Sequence, residues 1–240
     1  MNIERANKIW TELGEDDPMW AILTDEDKRG GKWAPEEFFA TGREEIGQML
    51  RTIREAGVTV NQGTALDFGC GLGRLSQALA EQFQHVDGVD VSASMIRQAQ
   101  QYNKRTDKVE YHLNVKTDLS LFPRNRFDFI YSNIVLQHIP PGDQILYIAE
   151  FMDLLKIGGV ALAVEINKGV SLPCSFAAQL RCSLVADRGG YAPRSRLAGR
   201  QNPGGILPPL FISTALFSDD SFPWISSSLP KLVCGSVPNP

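Results

Sequence analysis

The sequence predicts an α/β protein built on a doubly wound, mainly parallel sheet. Short apolar runs of five to seven residues alternate with amphipathic helical patterns between residues 60 and 168. This alternation is typical of strands that helices cover on both faces. A glycine-rich turn follows the first run, and an acidic residue ends the second. After Lys168 the alternation stops, so C-terminal strands are expected to be missing or irregular.

Five strands are predicted from the apolar runs, in chain order 64–68, 86–91, 109–113, 127–132 and 160–166. The helices between them are predicted from apolar positions at helical spacing. Thr41 and Glu44 form a capping-box pattern that predicts the start of a helix, and Gly57 predicts its end. Ser92 or Ser94 is expected to cap the helix that follows the second strand.

Composition divides the chain into three predicted parts. Residues 1–168 carry 25 of the 28 acidic residues, whereas residues 169–240 carry nine of the 14 prolines and no Glu. We predict an N-terminal helical lid over residues 1–60, an α/β core over 61–168 and an irregular Pro/Ser-rich tail over 169–240. The net charge of −4 and the pI near 5.5 argue against sequence-independent binding to nucleic acid.

The sequence also predicts a cytoplasmic protein without a membrane span. No leader is recognised at the N-terminus, and the apolar stretch 204–217 is too short to cross a bilayer and contains Pro208 and Pro209. The four cysteines lack metal-binding spacing, which favours reduced thiols and no metal site. The oligomeric state is not predicted.

The glycine-rich turn can be compared with the known nucleotide-binding motifs. It reads Asp67-x-Gly69-x-Gly71-x-Gly73, and Asp90 ends the next strand. The dinucleotide fingerprint requires Gly or Ala at its sixth position, whereas this turn has Arg74 or Ser76 there, depending on the register. A Walker loop is not present in the sequence.

Four segments, in order, resemble the motifs of the class I S-adenosylmethionine (SAM)-dependent methyltransferases, which have a Rossmann-like fold. They are LDFGCGLGRLS, GVDVSASMI, FDFIYSNIVLQHIPP and LLKIGGVALAVE. The resemblance covers roughly residues 35–168 and is closest to the small-molecule group of the family. It implies SAM as cofactor and a small-molecule acceptor, methylated at O or N by in-line displacement.

The resemblance also implies a set of SAM-binding positions in a loop, a strand end and an adenine pocket. They are Asp67, Gly69, Cys70, Gly71, Gly73, Asp90, Val91, Met95, Asn114, Val115 and Asn133. Asp90 would bind the ribose diol and Asp67 would orient the methionyl ammonium. The family often has an acid at the position of Val115, so recognition of the adenine amino group would rest on Asn114, Asp118 or backbone carbonyls.

The acceptor is expected on the rim beyond strands four and five. His138 is the candidate general base there, with a structural or gating role as the alternative. His85 and His112 are interpreted as surface or packing residues. Phe38, Phe39 and Arg43 are interpreted either as lid residues over SAM or as a hydrophobic staple.

The family sheet normally has seven strands, and its last helix and hairpin are not recognisable after Lys168. That segment is either an acceptor-binding extension or a frame-shifted or divergent tail. Two alternatives to methyl transfer are therefore considered. One is a SAM-binding pseudoenzyme without a complete acceptor pocket, and the other is an NAD(P)-dependent reductase, which the glycine register disfavours.

Overall fold

The computed structural model describes residues 3–167 and 210–217. Three helices precede the sheet: α1 (Ile3–Asp16), α2 (Pro18–Ile22) and α3 (Pro35–Glu55). The alternating part follows as β1 (Thr64–Phe68), α4 (Arg74–Leu79), β2 (His85–Asp90), α5 (Ala93–Tyr102), β3 (Val109–Leu113), β4 (Phe127–Asn133), α6 (Pro141–Leu154) and β5 (Leu155–Asn167). A last strand, β6, spans Leu210–Phe217.

The strands form one sheet in the order β3-β2-β1-β4-β5-β6, and every neighbouring pair is parallel. All strands therefore present their carboxyl ends at one edge, with β1 and β4 side by side where the strand order reverses. The predicted doubly wound parallel sheet is confirmed. The predicted bounds of the first and third strands agree with β1 and β3.

Side chains alternate between two cores, one on each face of the sheet. In β1, Ala65 joins the core under α3, α4 and α5, whereas Leu66 joins the core under α6. Phe83 and Phe129 stack in the first core with ring centroids 5.5 Å apart. Burial on both faces explains why these strands read as continuous apolar runs.

The capping-box prediction for α3 is wrong. The helix begins at Pro35, six residues before Thr41, with Ala34 at the N-cap position. Proline fits the first helical turn because it has no amide hydrogen to leave unpaired, and Glu36 lies in the same turn, where a negative charge is favourable. The Thr41 hydroxyl instead donates to the Phe38 carbonyl at 2.7 Å within the helix.

The cap of α5 is Ser92, whose hydroxyl accepts from the Met95 amide. This contact confirms one of the two predicted caps. It fixes the chain direction immediately after Asp90, the residue that ends β2. The N-terminus of α5 is therefore held close to the carboxyl edge of the sheet.

Strand β6 differs from the expected irregular tail, because it lies within residues 169–240 and pairs in parallel with β5 over eight residues. Its sequence, LFISTALF, is a short apolar run of the kind that a covered parallel strand shows. The rest of the predicted tail lies outside the described residues.

No helix in the described part of the chain is long and apolar enough to cross a membrane.

Candidate cofactor site

A cavity of about 180 Å³ opens at the carboxyl edge of the sheet, above β1, β2 and β4. Eight of the predicted site residues line it: Gly69, Gly71, Asp90, Val91, Met95, Asn114, Asn133 and His138. The fold thus brings together residues that are up to 69 positions apart, because parallel strands end at the same edge.

The glycine loop crosses from β1 to α4 beneath this cavity. Gly69 and Gly71 have φ of +79° and +51°, a backbone region that side chains rarely adopt. A Cβ on Gly71 would lie 2.7 Å from Ile22 Cδ1, and one on Gly69 would collide with Val135. The loop therefore needs glycine both for its conformation and for the close approach of other groups across the cavity.

Asp90 connects the loop to β2. One carboxylate oxygen accepts from the Gly71 amide and the other from the Ser92 amide, both at 2.8 Å. Burial raises the pKa of Asp90, and the backbone N–H donors oppose that rise. A carboxylate has about four acceptor positions, so the two N–H donors leave room for two hydroxyls from a vicinal diol. These features fit the ribose of a nucleoside ligand such as SAM.

Four predicted site residues do not line the cavity: Asp67, Cys70, Gly73 and Val115. Asp67 is buried beneath the loop and accepts from the Ser76 hydroxyl at 2.6 Å. Burial raises its pKa to about 7. Cys70 is also buried, and burial raises the pKa of its thiol. Gly73 faces the Tyr111 ring, and the Val115 side chain is exposed on the surface.

Helices α1 and α2 supply wall residues that the sequence did not indicate: Ile3, Ala6, Trp10, Ala21 and Ile22. Phe38, Phe39 and Arg43, interpreted from the sequence as either lid or staple residues, do not line the cavity. Phe38 is buried against Trp33, and Phe39 packs against Tyr102. The cover over the cavity therefore comes from a part of the N-terminal segment that precedes α3.

Polar contacts help to hold helix α1 in place. Its only buried residue is Gly14, where an added Cβ would collide with the Ser94 hydroxyl. Four side-chain hydrogen bonds join α1 to α5 and to the two residues before it: Asn7 to the Val91 carbonyl, Ser92 to the Trp10 carbonyl, Ser94 to the Thr11 carbonyl and Gln98 to the Gly14 carbonyl. The other residues of α1 are half-buried or exposed, so this helix can separate from α5 at a lower cost than a fully buried helix.

The far wall of the cavity is apolar and aromatic. His138 lies in a short 3₁₀ turn after β4, and its ring meets the Trp10 ring edge-on at 5.3 Å between centroids. Tyr147 packs against Phe68 and donates its hydroxyl to the Lys116 carbonyl at 3.3 Å. Burial raises the pKa of Tyr147 to about 12, so it stays neutral.

The backbone is strained next to this wall. Ile134 has φ of +59°, which is unfavourable for a β-branched residue. Its amide donates to the Val164 carbonyl of β5 at 2.8 Å, which holds the turn in place. Strain of this kind is concentrated at binding and catalytic sites.

A second polar cluster lies away from the cavity, near the start of β2. Ligand atoms of His85, Asp87 and Glu110 lie within 4.8 Å of one another. Asp87 is already bound by Arg126, at 2.7 and 2.9 Å, and by His112 at 2.8 Å. The guanidinium charge opposes a cation beside it, so the cluster is better explained as the anchor between β2, β3 and β4.

Residues 65–159 match the family described as a methyltransferase domain. Phosphoethanolamine N-methyltransferase 2 of Caenorhabditis elegans is 30% identical over 125 residues, 50% of this chain and 28% of that protein. A ubiquinone biosynthesis O-methyltransferase of Xylella fastidiosa is 32% identical over 112 residues, 46% of this chain and 45% of that protein. The chain spans about half or less of the length of these relatives.

Two solved structures share the fold. Phosphoethanolamine N-methyltransferase 1 of Haemonchus contortus, in complex with phosphoethanolamine and S-adenosylhomocysteine, superposes with a TM-score of 0.50 at 15% identity, over 65% of this chain and 30% of that one. A SAM-dependent methyltransferase from Leishmania major gives a TM-score of 0.52 at 15% identity, over 66% and 58% of the two chains. Residues 65–159 thus match a methyltransferase domain in sequence, and the strand order and these two structures show that the fold is Rossmann-like.

Proposed function

We propose that this chain is a SAM-dependent methyltransferase that methylates O or N of a small-molecule acceptor. The observation that carries the proposal is the Asp90 carboxylate, which faces the cavity beside a glycine loop and retains acceptor capacity for a diol. The names of the relatives at 30% and 32% identity include one N- and one O-methyltransferase, which supports methyl transfer without selecting the atom.

The proposed roles follow the order of the strands. Asp90 would hold the ribose, Val91, Met95 and Asn114 would contact the adenine, and Gly69 and Gly71 would approach the ligand with their backbone. Asp67, Cys70 and Gly73 would act indirectly, since they shape the glycine loop without lining the cavity. When bound, SAM supplies a methyl group whose bond to sulfur breaks as the bond to the acceptor forms, leaving S-adenosylhomocysteine (SAH).

The residues of this chain would align the acceptor and exclude water. Val135, Ile139 and Tyr147 give the acceptor side an apolar wall, and Asp90 is the only Asp, Glu, Lys or Arg among the described lining residues. This composition favours an acceptor with an uncharged apolar body. His138 would take the acceptor proton, or would instead control access through its contact with Trp10.

Residues of α1 and α2 would form the lid. The cavity of about 180 Å³ is smaller than the roughly 300–1,000 Å³ usual for ligand pockets, and side chains of these two helices occupy its near side. We propose that α1 moves away from α5 when the ligand enters.

Turnover tests the proposal. The full-length chain is incubated with methyl-labelled SAM and a panel of neutral phenols, amines and phosphoethanolamine, and label in the acceptor is counted. We expect transfer to a neutral aromatic or aliphatic acceptor. SAM binding without transfer to any acceptor would favour the pseudoenzyme instead.

A further inference from the structure

Glu45, on α3, lies at the centre of a hydrogen-bond network that connects three elements of the fold. One carboxylate oxygen accepts from the Tyr131 hydroxyl at 2.9 Å and from Asn133 Nδ2 at 2.7 Å. The other accepts from Arg74 Nη2 at 2.8 Å. Glu45 thus joins the end of β4 to the first residue of α4, directly after the glycine loop.

The network is shielded from solvent. The side chains of Arg74 and Glu45 are 4% and 19% exposed, and Tyr131 is buried. Burial raises the pKa of Tyr131, and the adjacent Glu45 carboxylate raises it further, so the phenol keeps the proton that it donates. Hydrogen bonds to a charged group in such surroundings are stronger than those between neutral groups.

The Glu45 carboxylate determines the orientation of Asn133. An ionised carboxylate accepts hydrogen bonds and cannot donate them, so the NH₂ end of the Asn133 amide must face Glu45. Asn133 also lines the cavity. The other end of its amide, the Oδ1 acceptor, is therefore the end available to a ligand.

The strand order indicates which part of the ligand meets this acceptor. Asn114 follows β3, Asp90 ends β2, the glycine loop follows β1, and Asn133 ends β4. If Asp90 holds the ribose and the adenine extends towards β3, the amino-acid part of the ligand extends the opposite way, past β1 towards β4. Asn133 Oδ1 can there accept a hydrogen bond from the ligand ammonium.

We infer that Glu45 is a positioning residue for the amino-acid part of the cofactor, acting through Asn133. The inference rests on the proposed binding of SAM and adds a residue from the N-terminal segment to that site. Glu45 has no contact with the ligand in this account. Its carboxylate holds the Asn133 amide in the orientation that accepts from an ammonium.

The test compares two ligands by calorimetric titration: SAH, and 5′-deoxy-5′-methylthioadenosine, which has adenine and ribose but no amino-acid part. In Glu45→Gln the new amide can donate to Asn133, so the orientation is no longer fixed. We expect about tenfold weaker SAH binding, the scale of a lost hydrogen bond to a charged group, and methylthioadenosine binding within about twofold of the wild type. Glu44→Gln, the same change at an exposed neighbour on α3, should alter neither.

Two further variants keep the test decisive if Glu45→Gln folds poorly. Glu45→Asp retains the charge opposite Arg74 but withdraws the carboxylate from Asn133, and it should show the same selective loss. Asn133→Ala should reproduce the loss of SAH affinity, and Glu45→Asp should add little to it, since both changes remove one interaction.

If the Glu45 variants bind both ligands more weakly by the same factor, Glu45 has only a structural role. Unchanged SAH affinity in these variants would likewise overturn the inference. A wild-type protein that binds methylthioadenosine and SAH equally well would overturn the role of the amino-acid contact but not nucleoside binding. A wild-type protein that binds neither would overturn the proposed function together with this inference.

Discussion

Asp90 accepts a hydrogen bond from the Gly71 amide at 2.8 Å, and this contact joins the end of β2 to the glycine loop of β1. The two residues come from neighbouring strands, and both line the cavity. The carboxylate therefore has two tasks, since it fixes the loop and faces the ligand. Replacing Asp90 should therefore weaken ligand binding by more than a loss of folding stability alone would explain.

Asp90→Ala is expected to weaken SAH binding by roughly 1–3 kcal/mol, because the ribose hydroxyls and the Gly71 amide lose their acceptor. Calorimetric titration measures the loss. Asp107→Asn, at an exposed position outside the cavity, is the control and should bind SAH like the wild type. Equal affinities for wild type and Asp90→Ala would mean that the ribose lies elsewhere.

Gly14→Ala tests how α1 is held. An added Cβ collides with the Ser94 hydroxyl, so α1 should shift away from α5, and amide hydrogen exchange in residues 3–16 should increase. Overpacking of this kind costs about 1–3 kcal/mol where the helix stays docked. Gly47→Ala, in α3, has only the flexible Arg51 side chain near its Cβ, at 3.4 Å, and should be neutral or stabilising by up to about 1 kcal/mol. Matching exchange in the two variants would argue against a close α1–α5 contact.

The raised pKa of Asp67 predicts that the stability of the protein depends on pH. Burial raises its pKa from 3.8 to about 7 in the folded protein. Between these values the folded protein holds a proton that the unfolded chain has released, so the free energy of unfolding should fall as the pH rises from about 4 to about 7.

Asp67→Asn removes this titration and preserves an acceptor for the Ser76 hydroxyl. Urea unfolding of both proteins at pH 5 and pH 8 measures the effect, and groups common to both cancel in the difference. The wild type should lose more stability than the variant between these pH values. Identical losses would show that Asp67 titrates normally.

His138→Gln separates the two proposed roles of that residue. If His138 is the base, kcat should fall and its dependence on pH between 5 and 8 should flatten, while SAH affinity stays near the wild-type value. If it controls access through Trp10, the substitution should instead change KM and the exchange of α1. Unchanged kinetics would exclude both roles.

The fold was largely predictable because covered parallel strands leave a strong signal in the sequence. The bounds of β1 and β3 agree with prediction, and β5 begins earlier because Leu155 already pairs with Phe127, before the register shift that precedes Val160. The start of α3 was missed because Pro35 can begin a helix without a side-chain cap. Strand β6 was missed because proline and glycine surround its apolar run.

The candidate site was predictable mainly where residues end or follow strands, as Gly69, Gly71, Asp90 and Asn133 do. The wall from α1 was not, because the amphipathic pattern of this helix predicts a face packed on the protein without indicating that this face covers the cavity. Glu45 was missed for a related reason. A charged residue on a helix resembles a solvated position until the fold brings Arg74, Tyr131 and Asn133 to it.

Titration of the wild-type protein with SAH and, separately, with NAD tests the central claim most directly. The account predicts saturable binding of SAH at one site, weakened by Asp90→Ala, and no measurable binding of NAD. Binding of NAD without binding of SAH would contradict it.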